Sequence, residues 1–293
     1  MRRWACAGAT SNDRSAPPPL MPELPEVETT RRHLVPHIVG RTIVEVVIHA
    51  GADRLAMTHA PRELEAELSG RRIEAVERHG KYLLASLDDG RTWVIHLRMS
   101  GSLVIAPPGE PAHAYERARV VFDDGTLMRF NDLRKFGTWH LVEDAREAMP
   151  NAGPDALSDE FSAGWLREQL ARRTIAVKSA LLDQKIAAGV GNIYADEACF
   201  IAKIDPRTPA DEVGPRRSTR LHAAVIEALR RSLDDGGTSF STYLDGLGQE
   251  GTHVMNVHVF RREGQSCDRC GGEIRKVRLG GRGTHFCPGC QRR

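Results

Sequence analysis

Apolar and polar positions alternate in two different rhythms along the chain. Between Thr42 and Phe130 the apolar residues come in short runs rich in Val, Ile and Leu. These are Thr42 to His49, Arg71 to Arg78, Tyr82 to Leu87, Thr92 to Leu97, Ser102 to Ile105, Arg119 to Asp123 and Thr126 to Phe130. Turns such as Asp89-Gly90 and Asp124-Gly125 separate them, which predicts the strands of a β-sandwich or barrel, with one helix at Pro61 to Leu68. From Asp155 the spacing becomes helical. Ser158 to Arg172 reads as a helix capped by Ser158, Val177 to Gln184 and Ile193 to Ala202 flank a glycine-containing turn, and Pro215 to Leu233 is a longer amphipathic helix stopped at Gly236-Gly237.

These rhythms divide the chain into a β-rich unit over 22–150, a helical unit over 155–255 and a third unit over 256–293, with Pro150 to Pro154 as a linker. No internal repeat is visible. Residues 1–20 lack periodicity and include Pro17-Pro18-Pro19, so 1–21 is expected to be a disordered extension, an upstream start-site artefact or a removed segment. No apolar run reaches the ~18 residues of a membrane span, and Met1 to Leu20 has no apolar core of a secretory signal, which makes the cytoplasm the expected compartment.

Composition changes this picture only through its distribution. The net charge of the chain is +2, yet residues 256–293 carry nine Lys/Arg against three Asp/Glu, a net +6. A basic end of this kind suits phosphate contact, and equally a solvated tail. Of six cysteines, four form the pattern Cys267-x2-Cys270-x16-Cys287-x2-Cys290, whose paired knuckles can give four thiolates to one tetrahedral Zn²⁺. Four protein ligands leave no open position, so the zinc would be structural. Cys199, inside Ala198-Cys199-Phe200-Ile201, reads as core.

The chemistry points to Met21-Pro22-Glu23-Leu24-Pro25-Glu26-Val27-Glu28. If translation began at Met21 and that methionine were trimmed, Pro22 would carry a free secondary amine of pKa roughly 7.7–8.0, pushed lower by the positive end of the helix that follows. An unprotonated fraction near neutral pH is a nucleophile, and Glu23 stands beside it. In the segment from Gln184 to Ala195, Gly189 and Gly191 precede a helix whose free N–H groups could hold a phosphate.

These stretches together resemble the formamidopyrimidine-DNA glycosylase family, bacterial enzymes that remove oxidised bases, over almost everything from Met21 to Cys290. The resemblance implies an α+β multidomain protein: an N-terminal helix with a β-sandwich, a helix-two-turn-helix DNA-binding domain and a zinc-finger β-hairpin. It implies a bifunctional glycosylase and apurinic/apyrimidinic lyase, in which Pro22 attacks C1′ and Glu23 serves as acid and base. Lys81 would bind the phosphate beside the damaged base, and Arg282, on the hairpin tip, a phosphate flanking the lesion. Met99, Arg134 and Phe136 would fill the void left by the extruded nucleotide, and Asn192, with Lys185 near it, would contact the DNA backbone.

The partner implied is double-stranded DNA with oxidised bases or abasic sites, bound by a monomer in the cytoplasm at the nucleoid. Leu24 is similar to the oxidised-purine branch, where the endonuclease VIII branch has glycine. In Gly237 to Tyr243 this chain has serines, Ser241 among them, where relatives are often basic. Two rival readings stay open at this point: an endonuclease VIII-like enzyme for oxidised pyrimidines, and a non-catalytic lesion-binding zinc-finger protein if Pro22 is not the mature N-terminus.

Overall fold

The computed structural model describes residues 21–106, 110–236 and 256–293, so the segment 1–20 and the serine-containing stretch Gly237 to Tyr243 lie outside it. The chain opens with helix α1 (Leu24–Ile38), then β1 (Ile43–Ile48), α2 (Pro61–Leu68), β2 (Ile73–His79), β3 (Tyr82–Leu87), β4 (Thr92–His96), β5 (Gly101–Ala106), β6 (Glu116–Phe122), β7 (Leu127–Asp132) and β8 (Thr138–Val142). The strands form two antiparallel four-stranded sheets, ordered β1-β6-β7-β5 and β2-β3-β4-β8. Alternating inward residues such as Leu83, Ala85 and Leu87 from one sheet and Val46, Leu103 and Val120 from the other share one core with Val27, Leu34 and Ile38 of α1. Trp93 and Trp139 meet edge to face at 4.8 Å in its centre. The sandwich expectation holds, and α2 has the bounds read from sequence. Strand β8 was not expected, because Thr138-Trp139-His140-Leu141-Val142 follows a charged loop and mixes two bulky aromatic positions with a short alternation.

A short helix α3 (Ala145–Ala148) packs on β4 and β8 of the sandwich; the second unit is helical, with α4 (Ala163–Ala171), α5 (Val177–Leu181), α6 (Asn192–Ile201) and α7 (Pro215–Asp234). Helix α4 starts later than the sequence suggests. Ser162, not Ser158, caps it, accepting the Trp165 amide at 3.1 Å. Ser158 turns back on the Asp155 carbonyl instead, and Phe161, buried, separates the two serines. Likewise α5 ends at Leu181, since Gln184 leaves the helix to donate to the Val190 carbonyl at 2.9 Å. The third unit is a hairpin, β9 (Arg275–Leu279) with β10 (Arg282–Phe286), against which α6 packs.

The beginning of α1 joins the first two units. Val27, Leu34 and Ile38 are buried in the sandwich core, whereas Leu24 is buried in the core of the helical unit with Val190, Ile193 and Leu229. Pro22 and Glu23 therefore lie at the seam. Among the described residues no helix is long and apolar enough to cross a membrane.

Candidate active site

The first turn of α1 is shaped by two carboxylates. Pro25 sits where a helix leaves its N–H groups unbonded anyway, and the Glu23 amide donates to Glu26 Oε2 at 2.8 Å, a local lock on the turn. The Leu24 amide donates to the Gly189 carbonyl at 3.1 Å. Gly189, at φ +103°, has no room for a side chain, because a Cβ there would lie 2.6 Å from Leu24 Cδ1. Pro22 itself is buried, its nitrogen joined to Met21 in this chain.

With the backbone so fixed, the Glu23 side chain points across the seam onto the start of α6. Its Oε1 accepts the Ile193 amide at 3.0 Å and its Oε2 the Tyr194 amide at 3.5 Å. The N–H groups expected to hold a phosphate thus hold a carboxylate of the protein, which corrects the sequence reading of that helix start. Gly191 makes the approach possible, since a Cβ there would sit 2.2 Å from Glu23 Cδ. Burial pushes the Glu23 carboxyl up to about 7, against the pull of Lys81 and the two N–H groups. It is 3% exposed, so a proton can reside there near neutral pH with little water to compete.

Glu26 is the second carboxylate, not singled out by the sequence as part of a site. Its Oε1 accepts the Tyr194 hydroxyl at 2.6 Å, and that hydroxyl also meets Ser232 Oγ at 2.6 Å, tying α1 to α6 and α7. Burial, with Glu26 and Glu23 close by, holds the Tyr194 phenol well above its ordinary value.

Lys81 is brought to this cluster by the β2–β3 turn. Gly80, at φ +57°, presses on Ala188 and Gly189, and its amide donates to Asp155 Oδ2 at 2.7 Å. The same carboxylate pairs with the Arg78 guanidinium, which also reaches Glu28 at 3.2 Å. Asp155 is another residue the sequence did not mark; its only local signal was the polar position at the end of the linker. Lys81 is 6% exposed, and burial lowers its pKa while Glu23 raises it and Arg282 lowers it further. Glu23, Lys81 and Arg282 therefore share one electrostatic neighbourhood. His96 joins it from β4, opposite Tyr82 in register and edge-on to its ring at 4.4 Å; burial, then Arg98 and Lys81, hold it well below the ordinary imidazole range.

Arg282 is exposed at the hairpin tip and is placed by its neighbour Gly283. The Gly283 carbonyl accepts Lys178 Nζ at 2.9 Å and Asn192 Nδ2 at 3.2 Å. Asn192, expected on the DNA backbone, gives one of its two amide hydrogens to the hairpin, and its Oδ1 has no partner among the described residues. Lys178 is fully buried, ion-paired with Asp196 at 2.8 Å, and Asp196 accepts the His285 amide at 2.9 Å. The sequence passed over Lys178; a lysine inside the apolar run Val177 to Leu181 was the available signal. Lys185, the lysine chosen instead, is exposed in the turn before Gly189.

Met99, Arg134 and Phe136 lie on two neighbouring loops, since Gly101 and Asp132 are register partners at the ends of β5 and β7. Met99 is half-buried, Phe136 is 44% exposed, and the Arg134 guanidinium stacks 4.8 Å from the Phe136 ring centre.

The four sulfurs of Cys267, Cys270, Cys287 and Cys290 all lie within 4.8 Å of one another, with the β9–β10 hairpin strung between the two pairs. Four thiolates at that separation fit one tetrahedral zinc and no open position. The Gly272 N–H draws the Cys270 thiol down to about 7, while burial pushes Cys287 and Cys290 up. Cys199 is buried in the helical core, as its sequence setting suggests.

Three family descriptions match the chain: formamidopyrimidine-DNA glycosylase N-terminal domain over residues 21–139, formamidopyrimidine-DNA glycosylase H2TH domain over 152–243, and zinc finger found in FPG and IleRS over 264–293. A formamidopyrimidine-DNA glycosylase of Symbiobacterium thermophilum is 46% identical, covering 92% of this chain and 89% of that protein. One from Laribacter hongkongensis is 41% identical over 93% of this chain and all of its own length. Among solved structures, Lactococcus lactis Fpg in complex with DNA containing an abasic site aligns at TM-score 0.84 and 35% identity, covering 92% of this chain and 100% of that one. MutM (Fpg) of Thermus thermophilus aligns at 0.83 and 38%, covering 92% and 98%.

Proposed function

The chain belongs to the formamidopyrimidine-DNA glycosylase family, and on that premise we propose that it excises oxidised purines from duplex DNA through an amine at Pro22 and then cleaves the strand as a lyase. It is a DNA glycosylase of base excision repair with one structural zinc on Cys267, Cys270, Cys287 and Cys290. The bound zinc supplies rigidity to the hairpin that carries Arg282.

The observation that carries the mechanistic reading is the buried Glu23 carboxyl, pushed up to about 7 and held on the start of α6 beside Pro22. The lone pair of a free Pro22 nitrogen attacks C1′; the bond from C1′ to the base breaks, and the base leaves with its electron pair and takes up the proton that the Pro22 nitrogen gives up. Glu23 delivers its proton to the deoxyribose ring oxygen, which opens the sugar and leaves an iminium between Pro22 and C1′. That cation acidifies the 2′ proton, whose removal expels the 3′ phosphate by β-elimination; a δ-elimination then releases the 5′ phosphate. Lys81 and Arg282 hold phosphates around the everted nucleotide, and Met99, Arg134 and Phe136 fill the stack behind it.

The substrates in this reading are 8-oxoguanine, formamidopyrimidines and abasic sites; Lactococcus lactis Fpg is seen with Fapy-dG and abasic-site DNA. Attack requires that Pro22 begin the mature chain, and the start of the family match at Met21 supports that. The test is borohydride trapping with protein beginning at Pro22. A covalent adduct with 8-oxoguanine:C duplex, stronger than with thymine-glycol duplex, is expected. No adduct with either the lesion or an abasic duplex refutes the scheme.

A further inference from the structure

We infer that Asp132 is a positioning residue that bolts the Met99 loop and the Arg134–Phe136 loop into one rigid wedge, an inference that rests on the void-filling role proposed above. The Asp132 side chain belongs to a residue only 1% exposed at the end of β7, and its two oxygens face two loops. Oδ2 accepts the amides of Phe136 at 2.7 Å and Gly137 at 2.8 Å. Oδ1 accepts the Arg134 amide at 3.1 Å and the Ser100 hydroxyl at 2.5 Å, and the same hydroxyl accepts the Arg134 amide at 3.0 Å. Ser100 follows Met99 directly. A single carboxylate thus joins the side chain that would enter from one strand end to the pair that would enter from the other.

The Arg134–Phe136 loop also borders an open pocket of about 370 Å³ lined in part by Leu55, Phe130, Arg134, Lys135 and Phe136. Lys135 takes a left-handed φ of +57°, costly for a residue with a Cβ, and this shape persists only where its surroundings impose it. Gly137 fits because a Cβ there would meet the Phe130 ring at 2.2 Å. Hydrogen bonds to a charged acceptor are about twice as strong as neutral ones, and this one acceptor takes three amides and a hydroxyl. The Asp132 carbonyl meanwhile takes Arg117 Nε at 2.7 Å, which fixes the strand end itself.

The probe is a duplex with a tetrahydrofuran residue opposite 2-aminopurine, whose fluorescence rises when the opposite base is unstacked. It needs no chemistry at Pro22. Met99→Ala and Phe136→Ala should each reduce the rise; if neither does, the void-filling role fails and the inference falls with it. Given that control, Asp132→Ala should lose at least about fivefold in the wedge-inserted population, since one hydrogen bond alone is worth that shift and four are removed, with Kd by anisotropy altered much less. Asp132→Asn, which keeps one acceptor oxygen, should fall between. A wild-type rise in Asp132→Ala overturns the inference, as does a loss that merely tracks weaker binding.

Discussion

Replacing Glu23 by Gln removes a carboxyl whose protonation is set by burial, and the consequence can be read from stability alone. In the fold its pKa is about 7, against an ordinary 4.5. A raised carboxyl pKa means that the folded state holds the proton longer than the unfolded chain. The favourable contribution is therefore complete below the unfolded value and is lost as pH rises through about 7. Integrated between about pH 5.5 and 8.5, this one group should cost the wild-type protein about 2 kcal/mol. The attraction of Lys81 is already contained in that shift. Glu28, held down at about 2 against desolvation by hydrogen bonds from Arg31, titrates well below the window. Urea unfolding of Glu23→Gln and wild type at the two pH values should show the difference between them growing toward high pH by that amount, in favour of the variant. On the proposed role of Glu23 as proton donor, glycosylase activity should fall at least a hundredfold, since general acid–base catalysis contributes about 10²–10⁴. A stability difference that does not change with pH would mean that Glu23 stays charged in the fold, and the reasoning from burial would be wrong.

Gly191→Ala should displace the Glu23 carboxylate, because the new Cβ lies 2.2 Å from Cδ; overpacking of this kind costs about 1–3 kcal/mol, and kcat should drop while Kd for abasic-site DNA changes little. Asp155→Ala removes one of the two carboxylates that hold Arg78, and the acceptor of the Gly80 amide, and should lower stability by about 1–3 kcal/mol, measured by urea unfolding. Removing zinc with a strong chelator should abolish lesion-specific DNA binding while far-UV circular dichroism keeps the sandwich and helical signals, because the hairpin between the cysteine pairs has little core of its own.

The sequence made the strands legible because inward residues alternate on one face, as in Tyr82 to Leu87, where Leu83, Ala85 and Leu87 are buried. It made the zinc site legible because four thiolates on paired knuckles have few other uses. What it could not supply was any pairing across the seam. Glu23 reads as one of three acids in a helix start, and only the fold brings it to Ile193, 170 positions away. The glycines before α6 made its start look like a phosphate site for a sound local reason, yet the Ile193 and Tyr194 N–H groups there are taken by that carboxylate. Asn192 and Lys178 show the same limit. Both reach the Gly283 carbonyl on a hairpin about a hundred residues later, a pairing that neither residue's sequence neighbours could reveal.

The placement of Leu24 has a mechanical outcome. Its side chain is anchored in one lobe while Val27, one turn along, is anchored in the other. The opening turn of α1 is thus a pin through the joint between lobes. Any rocking of one lobe against the other must carry Pro22 with it or pull Leu24 off Gly189. On the proposed mechanism the Pro22 nitrogen would therefore move with the joint, and a slack joint would misplace it.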